Sequence, residues 1–236
     1  MRVLYLSLLV LVVSVGSADA AIILADAFED VGDAQKVGNT ATFDSWDTVD
    51  GIDAPASSLS FFDNATDAAL SFHKKQDGEL DVNENIGSGG TWRTSFVLDL
   101  DAATASIDLT TLDLTISLLN GSGDLQGNTT GKDGIYTVQI EGSVSGDLGS
   151  ASSPDTNYTV VQGQPVSVDL SSFADLGTTE TYTVTLSVVR GNQSWGHYVS
   201  LDDLTLNGDI TPTPEPATLA LLGLGGLAMI RRRRRS

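Results

Sequence analysis

Strict alternation of apolar and polar residues recurs through the middle of this chain. Leu112-Asp-Leu-Thr-Ile-Ser-Leu118 puts its apolar side chains on one parity. Tyr136-Thr-Val-Gln-Ile140, Pro165-Val-Ser-Val-Asp-Leu170 and Tyr182-Thr-Val-Thr-Leu-Ser-Val188 do the same. A period of two sends successive side chains to opposite faces, and Val, Ile, Thr and Tyr suit a half-buried antiparallel strand. Ser95–Leu100 mixes alternation with a buried run. Further strand candidates are 21–25, 40–43, 57–62, 68–73, 157–161 and 198–206. Turn formers separate them: Gly87-Ser-Gly-Gly90, Asn120-Gly121, Asp133-Gly134, Ser153-Pro-Asp155 and Gly191-Asn192. No long amphipathic helix falls between the two ends, although 170–176 has room for one turn. About nine to eleven short strands in one stretch predict an all-β fold, a two-sheet antiparallel sandwich of jelly-roll type. No period of about 20 to 50 residues appears, which argues against solenoids and propellers.

One strand carries a parity break. In Tyr198-Val-Ser-Leu-Asp-Asp-Leu-Thr-Leu206, Val199 and Leu201 share one face, while Leu204 and Leu206 fall on the other parity. Both pairs need the core, so a β-bulge is expected at Asp202-Asp203.

Composition excludes much chemistry. The chain has no Cys, which removes disulfides, Cys-ligated zinc, iron–sulfur clusters and thiol nucleophiles. It has two histidines, His73 and His197, without metal spacing. Its net charge of −19 argues against nucleic-acid binding, which needs a basic footprint. The region 21–213 keeps 6 basic and 29 acidic residues, a balance of −23 that favours solubility and attracts divalent cations.

The ends read as addresses. Met1-Arg2, the apolar run Val3–Val15 and the small-residue pattern Ala18-x-Ala20 have the plan of a secretory signal peptide cleaved after Ala20. An uncleaved anchor is the alternative. At the other end Pro214-Glu215-Pro216 precedes the 14-residue apolar stretch Ala217–Ile230 and the arginines Arg231–Arg235. As a helix that segment would be about 21 Å long against a hydrocarbon core of about 30 Å. It is a short transmembrane helix whose arginines snorkel and stay cytoplasmic. A small buried terminal helix is the alternative. The expected organisation is a signal peptide at 1–20, a β-sandwich at 21–210, a Pro-Thr linker at 211–213 and a tail at 214–236.

The motif, short span and basic end together resemble the PEP-CTERM sorting signal, over the last 23 residues. The resemblance implies an exosortase as processing partner, with cleavage at Pro214-Glu215-Pro216. It also implies export through the inner membrane to the cell surface or extracellular matrix of a Gram-negative bacterium that makes extracellular polysaccharide. Whether the tail is retained or cut stays open.

An opening Phe28-Glu29 and a closing Leu201-Asp-Asp-Leu-x-Leu206 look like the jelly-roll carbohydrate-binding modules with a galactose-binding-like fold. In those modules the first and last strands lie close and often share a structural Ca2+. Glu29 with Asp202 or Asp203 would place two carboxylates on one hard cation. The plainer reading makes them edge charges that oppose aggregation. Asp81-Val-Asn-Glu-Asn-Ile-Gly87 begins like a calcium loop. Ile86 stands where the EF-hand glycine belongs and Trp92 where its last carboxylate belongs, so it reads as a polar loop.

No catalytic constellation stands out. Gly142-Ser-Val-Ser-Gly146 has Val144 at the place of a nucleophilic serine, and Gly121-Ser-Gly-Asp-Leu-Gln-Gly127 has the wrong spacing for a dinucleotide loop. Carboxylate pairs of a glycosidase are no evidence in so acidic a chain. Trp46 and Trp195 lie in polar contexts and are candidates for stacking on sugar faces, with burial at the sandwich ends as the alternative. Five Asn-x-Ser/Thr sequences, at Asn64, Asn120, Asn128, Asn157 and Asn192, follow from composition. The expected role is structural or adhesive, beside extracellular polysaccharide and without enzymatic activity. A carbohydrate-binding module with a defined glycan site and a polysaccharide-active enzyme are the alternatives.

Overall fold

The computed structural model describes residues 21–28, 39–43, 45–49, 52–53, 55–56, 58–63, 66–70, 72–74, 80–83, 92–100, 104–119, 125, 133–154, 156–160, 162–190 and 198–212. All regular structure among them is β. The strands are β1 (Ala21–Asp26), β2 (Thr40–Thr42), β3 (Asp47–Thr48), β4 (Ile52–Asp53), β5 (Ser58–Ser60), β6 (Phe62–Asp63), β7 (Phe72–Lys74), β8 (Leu80–Asn83) and β9 (Trp92–Leu100). They continue with β10 (Thr104–Ile116), β11 (Leu118–Leu119), β12 (Asp133–Gly142), β13 (Gly146–Ser152), β14 (Thr156–Asn157), β15 (Gln164–Asp169), β16 (Leu176–Gly177), β17 (Tyr182–Arg190) and β18 (Tyr198–Pro212).

Two main antiparallel sheets form a sandwich, as the alternation predicts. One runs β15-β10-β18-β1-β3 and the other β13-β12-β17-β9-β4. The long strands pair in a nested way: β1 with β18, β9 with β17, β10 with β15, β12 with β13. Period two explains the core. On β9, Trp92, Thr94, Phe96, Leu98 and Leu100 point inward, while Arg93, Ser95, Val97 and Asp99 face out. Val138, Ile140, Val184, Leu186, Leu112 and Leu114 fill the space between the sheets. Each such aliphatic side chain removed from water contributes about 1.5–3 kcal/mol.

Departures from the sequence reading have local causes. Gly146–Ser152 carries few strand formers, yet pairs along β12 as an edge, where both faces meet solvent and no apolar parity is needed. Asp81 to Asn83, read as the start of a polar loop, pair with the first residues of β18. Asp133-Gly134, read as a turn, opens β12; a Cβ on Gly134 would strike the Tyr158 hydroxyl. Thr211 and Pro212, expected to begin a linker, pair with Ser106 and Thr104. Proline is tolerated there because it stands at the strand's end.

The β12–β13 hairpin is tied by one carboxylate. Glu180 accepts the N–H groups of Val144 and Ser145 at 2.7 and 2.8 Å, and the Ser145 hydroxyl at 2.8 Å. Those bonds, led by the Ser145 N–H, hold its carboxyl below the ordinary value of 4.5. The contribution is complete above that ordinary value and is lost as pH falls through the depressed folded value. Glu180→Gln should therefore lower the melting temperature at neutral pH, with the gap closing in acid. Parallel melts of both proteins would show it; an undiminished gap below pH about 3 would sink the assignment.

Candidate functional site

The bulge predicted at Asp202-Asp203 is present. Asp113 faces Thr205 and Thr115 faces Asp202, so two steps on β10 match three on β18. Leu201 and Leu204 both reach the core, Asp202 is half-buried and Asp203 is exposed. Asp203 adopts φ 45°, a left-handed conformation that Asp tolerates better than most residues. Its N–H donates to Asp202 Oδ1 at 2.9 Å.

The first and last strands are neighbours. Asp26 lies opposite Leu204, next to the bulge, so Asp26 and Asp202-Asp203 lie at one corner. Asp26 Oδ1 accepts the N–H of Phe28, which turns inward at φ 54° and is fully buried. Glu29 lies outside the described residues. Among the described residues, no three metal-ligating side chains converge.

The outer face of β10 and β18 carries a fixed polar network. Asn207 Nδ2 donates to Thr111 Oγ1 at 3.1 Å and to Asp113 Oδ2 at 2.8 Å, and the Thr111 hydroxyl donates to the same oxygen at 3.0 Å. A second irregularity at Thr110 brings the network to this face: Leu109 pairs with Gly208, but Thr111 with Asn207. Beside it lies an open cleft of about 420 Å³, bordered by Asp113, Thr115, Pro165, Ser167 and Asp203. Sequence reasoning did not single out Asp113 or Asn207. Their facing depends on two register shifts, and both leave a parity signal: on β10, Ile107 and Leu109 are buried on one parity and Leu112 and Leu114 on the other.

Trp46 is corrected. It is 4% exposed, its ring packs against Phe28, Phe43 and Phe96, and its Nε1–H donates to the Ala56 carbonyl at 3.2 Å. A ring enclosed in this way presents no face to a sugar. Trp92 is also buried, against Phe61. Trp195 and His197 lie outside the described residues. His73 belongs to β7, and Gly142-Ser-Val-Ser-Gly146 forms the β12–β13 turn. Tyr136 and Tyr158 share a buried hydroxyl contact of 2.8 Å; burial, then Tyr158, pushes the Tyr136 phenol well above its usual range.

The terminal signals lie outside the described residues: Ala18 and Ala20 within 1–20, then Pro214, Glu215, Pro216, the apolar run and the arginines. Among the described residues, no helix is long and apolar enough to cross a membrane. Residues 212–235 match the family described as the PEP-CTERM protein-sorting motif. The chain carries a PEP-CTERM sorting motif at its C-terminus. Proteins with the PEP-CTERM motif are exported and sorted to the cell surface by exosortase, and the motif implies processing by that enzyme. It spans about a tenth of the chain and is silent on the body.

Two solved structures show distant likeness to the body. An arabinose-bound α-L-arabinofuranosidase is 12% identical with a TM-score of 0.36, over 64% of this chain; the chain spans 23% of that structure. A structure described as the basis for the promiscuous specificity of carbohydrate-binding modules from the β-sandwich superfamily is 13% identical with a TM-score of 0.28, covering 80% of this chain and 98% of its own. No site is carried over from either. No curated protein matches the chain.

Proposed function

We propose that this is a cell-surface or extracellular-matrix protein whose β-sandwich acts structurally or adhesively beside extracellular polysaccharide, without a catalytic step. The observation that carries the proposal is the continuity of body and address. β18 ends at Pro212, where the sorting-motif match begins, so the sandwich joins its routing signal without a spacer. A body balance of −23 suits a soluble surface domain. We assign the sandwich to the jelly-roll type. Support comes from the nested pairing of first with last, second with second-last and so on inward, as in a long ribbon rolled on itself.

The test is cosedimentation of the full chain with polysaccharide from a Gram-negative matrix, together with fractionation of an Arg231–Arg235→Ser variant. Association with polysaccharide and impaired membrane retention of the variant are expected. Absence of any association, or release of reducing ends from the polysaccharide, would overturn the role. A module with a defined glycan site is the second reading, favoured by the cleft beside Asp113.

Calcium at the corner of β1 and β18 belongs to the same proposal, supported by the register that sets Asp26 beside Asp202-Asp203. Calcium should raise the melting temperature more than sodium at matched ionic strength. A hundredfold excess over Kd would add about 2.7 kcal/mol. Asp202→Asn with Asp203→Asn should erase the difference, and a chelator without effect would remove calcium from the proposal.

A further inference from the structure

We infer that the cleft on the outer face of β10, β15 and the β18 bulge binds a neutral sugar, through Asp113, Thr115, Ser167 and Asp203 around the ring of Pro165. The inference rests on the polysaccharide-associated role proposed above, and names the place and the class of glycan.

The chemistry of the border selects the ligand. Asp113 and Asp203 are hydrogen-bond acceptors, and sugar hydroxyls are donors. Thr115 and Ser167 can donate or accept, which suits the remaining hydroxyls. Pro165 opposite Thr115 offers a rigid apolar surface for the C–H face of a pyranose. A volume of about 420 Å³ falls in the range of small-molecule sites and suits one or two hexose units. Among the described residues no cation pairs with either carboxylate, so uronate or phosphate groups would be repelled. Calcium is the competing occupant. The cleft favours a sugar because its acceptors are interleaved with hydroxyls and an apolar ring.

The site is held in advance. Asn207 and Thr111 both bind Oδ2 of Asp113, which fixes the carboxylate and leaves Oδ1 uncommitted among the described residues. The bulge holds Asp203 out of the ladder at φ 45°. Such irregularities re-aim side chains at sites. Ordering these groups before binding lowers the entropy lost on binding. Asn207 is a positioning residue, acting through Asp113.

Calorimetric titration of the full-length chain in a zwitterionic detergent tests this. The probes are neutral hexasaccharides of glucose, galactose and mannose, an oligogalacturonate, and calcium chloride alone. At least one neutral hexasaccharide should bind and the oligogalacturonate should not. Asp203→Gly should keep the fold, since glycine accepts positive φ freely, yet weaken binding at least about tenfold. Asp113→Asn should do likewise, and the remote Asp147→Asn should leave binding unchanged. Cosedimentation with whole polysaccharide separates the two ideas. If it persists while both cleft variants bind hexasaccharide like the wild type, the cleft is wrong and the broader role stands. Failure of every neutral hexasaccharide, or a calcium response that Asp113→Asn abolishes, overturns the inference.

Discussion

Gly208→Val should lower the melting temperature by about 6–12 °C, the loss expected for about 3 kcal/mol in a domain of this size. Gly208 lies between two strands, paired with Ala21 of β1 and Leu109 of β10. A Cβ there would stand 2.6 Å from the Asp108 carbonyl oxygen and 3.2 Å from the Leu109 Cα. Both are backbone atoms, so no rotamer change relieves the clash. β18 must instead move away from β10 along their shared ladder. Gly208→Ala should shift stability in the same direction by less. Circular dichroism melts would report both, and a Gly208→Val protein within about 2 °C of wild type would refute the close approach.

Trp46→Ala should cost about 3–5 kcal/mol, the usual range for emptying a buried aromatic site. The indole is edge-on to Phe43 at 4.9 Å and to Phe28 at 6.1 Å, and tilted against Phe96 at 5.4 Å. Removing it strips three rings of a neighbour at once. Trp46→Phe should retain most of the packing and lose the bond to Ala56, at about 1 kcal/mol. Denaturant titration would rank the two. Glycan binding by Trp46→Phe should equal that of wild type; a specific loss of binding without loss of stability would return Trp46 to the role of a stacking ring.

The strands most legible in the sequence are those with one face in the core. β10, β12, β15 and β17 declare themselves because water on one side and aliphatic neighbours on the other enforce alternation. The bulge in β18 was legible for the same reason: Leu201 and Leu204 cannot both be buried in an unbroken strand. β13 was not, because an edge with little apolar surface leaves no periodic trace. Trp46 misled through its neighbours. Asp47 is exposed beside it, while the indole reaches back into the core. The cleft could not be read at all. Asp113, Pro165 and Asp203 come from three distant strands, and only pairing register brings them together.

The placement of β18 has a mechanical consequence. Anything that holds the protein by its C-terminal segment pulls at Pro212, the end of a strand flanked on both sides by antiparallel partners. Tension along that strand loads, in shear, the hydrogen bonds to β10 from Pro212 inward and those to β1 from Gly208 inward, rather than opening them one after another from a free end. The same placement leaves β1 and β10 without the strand between them until the last residues of the body have emerged. Tethering strength and completion of the fold are thus vested in one segment, and the sorting motif begins where that segment stops.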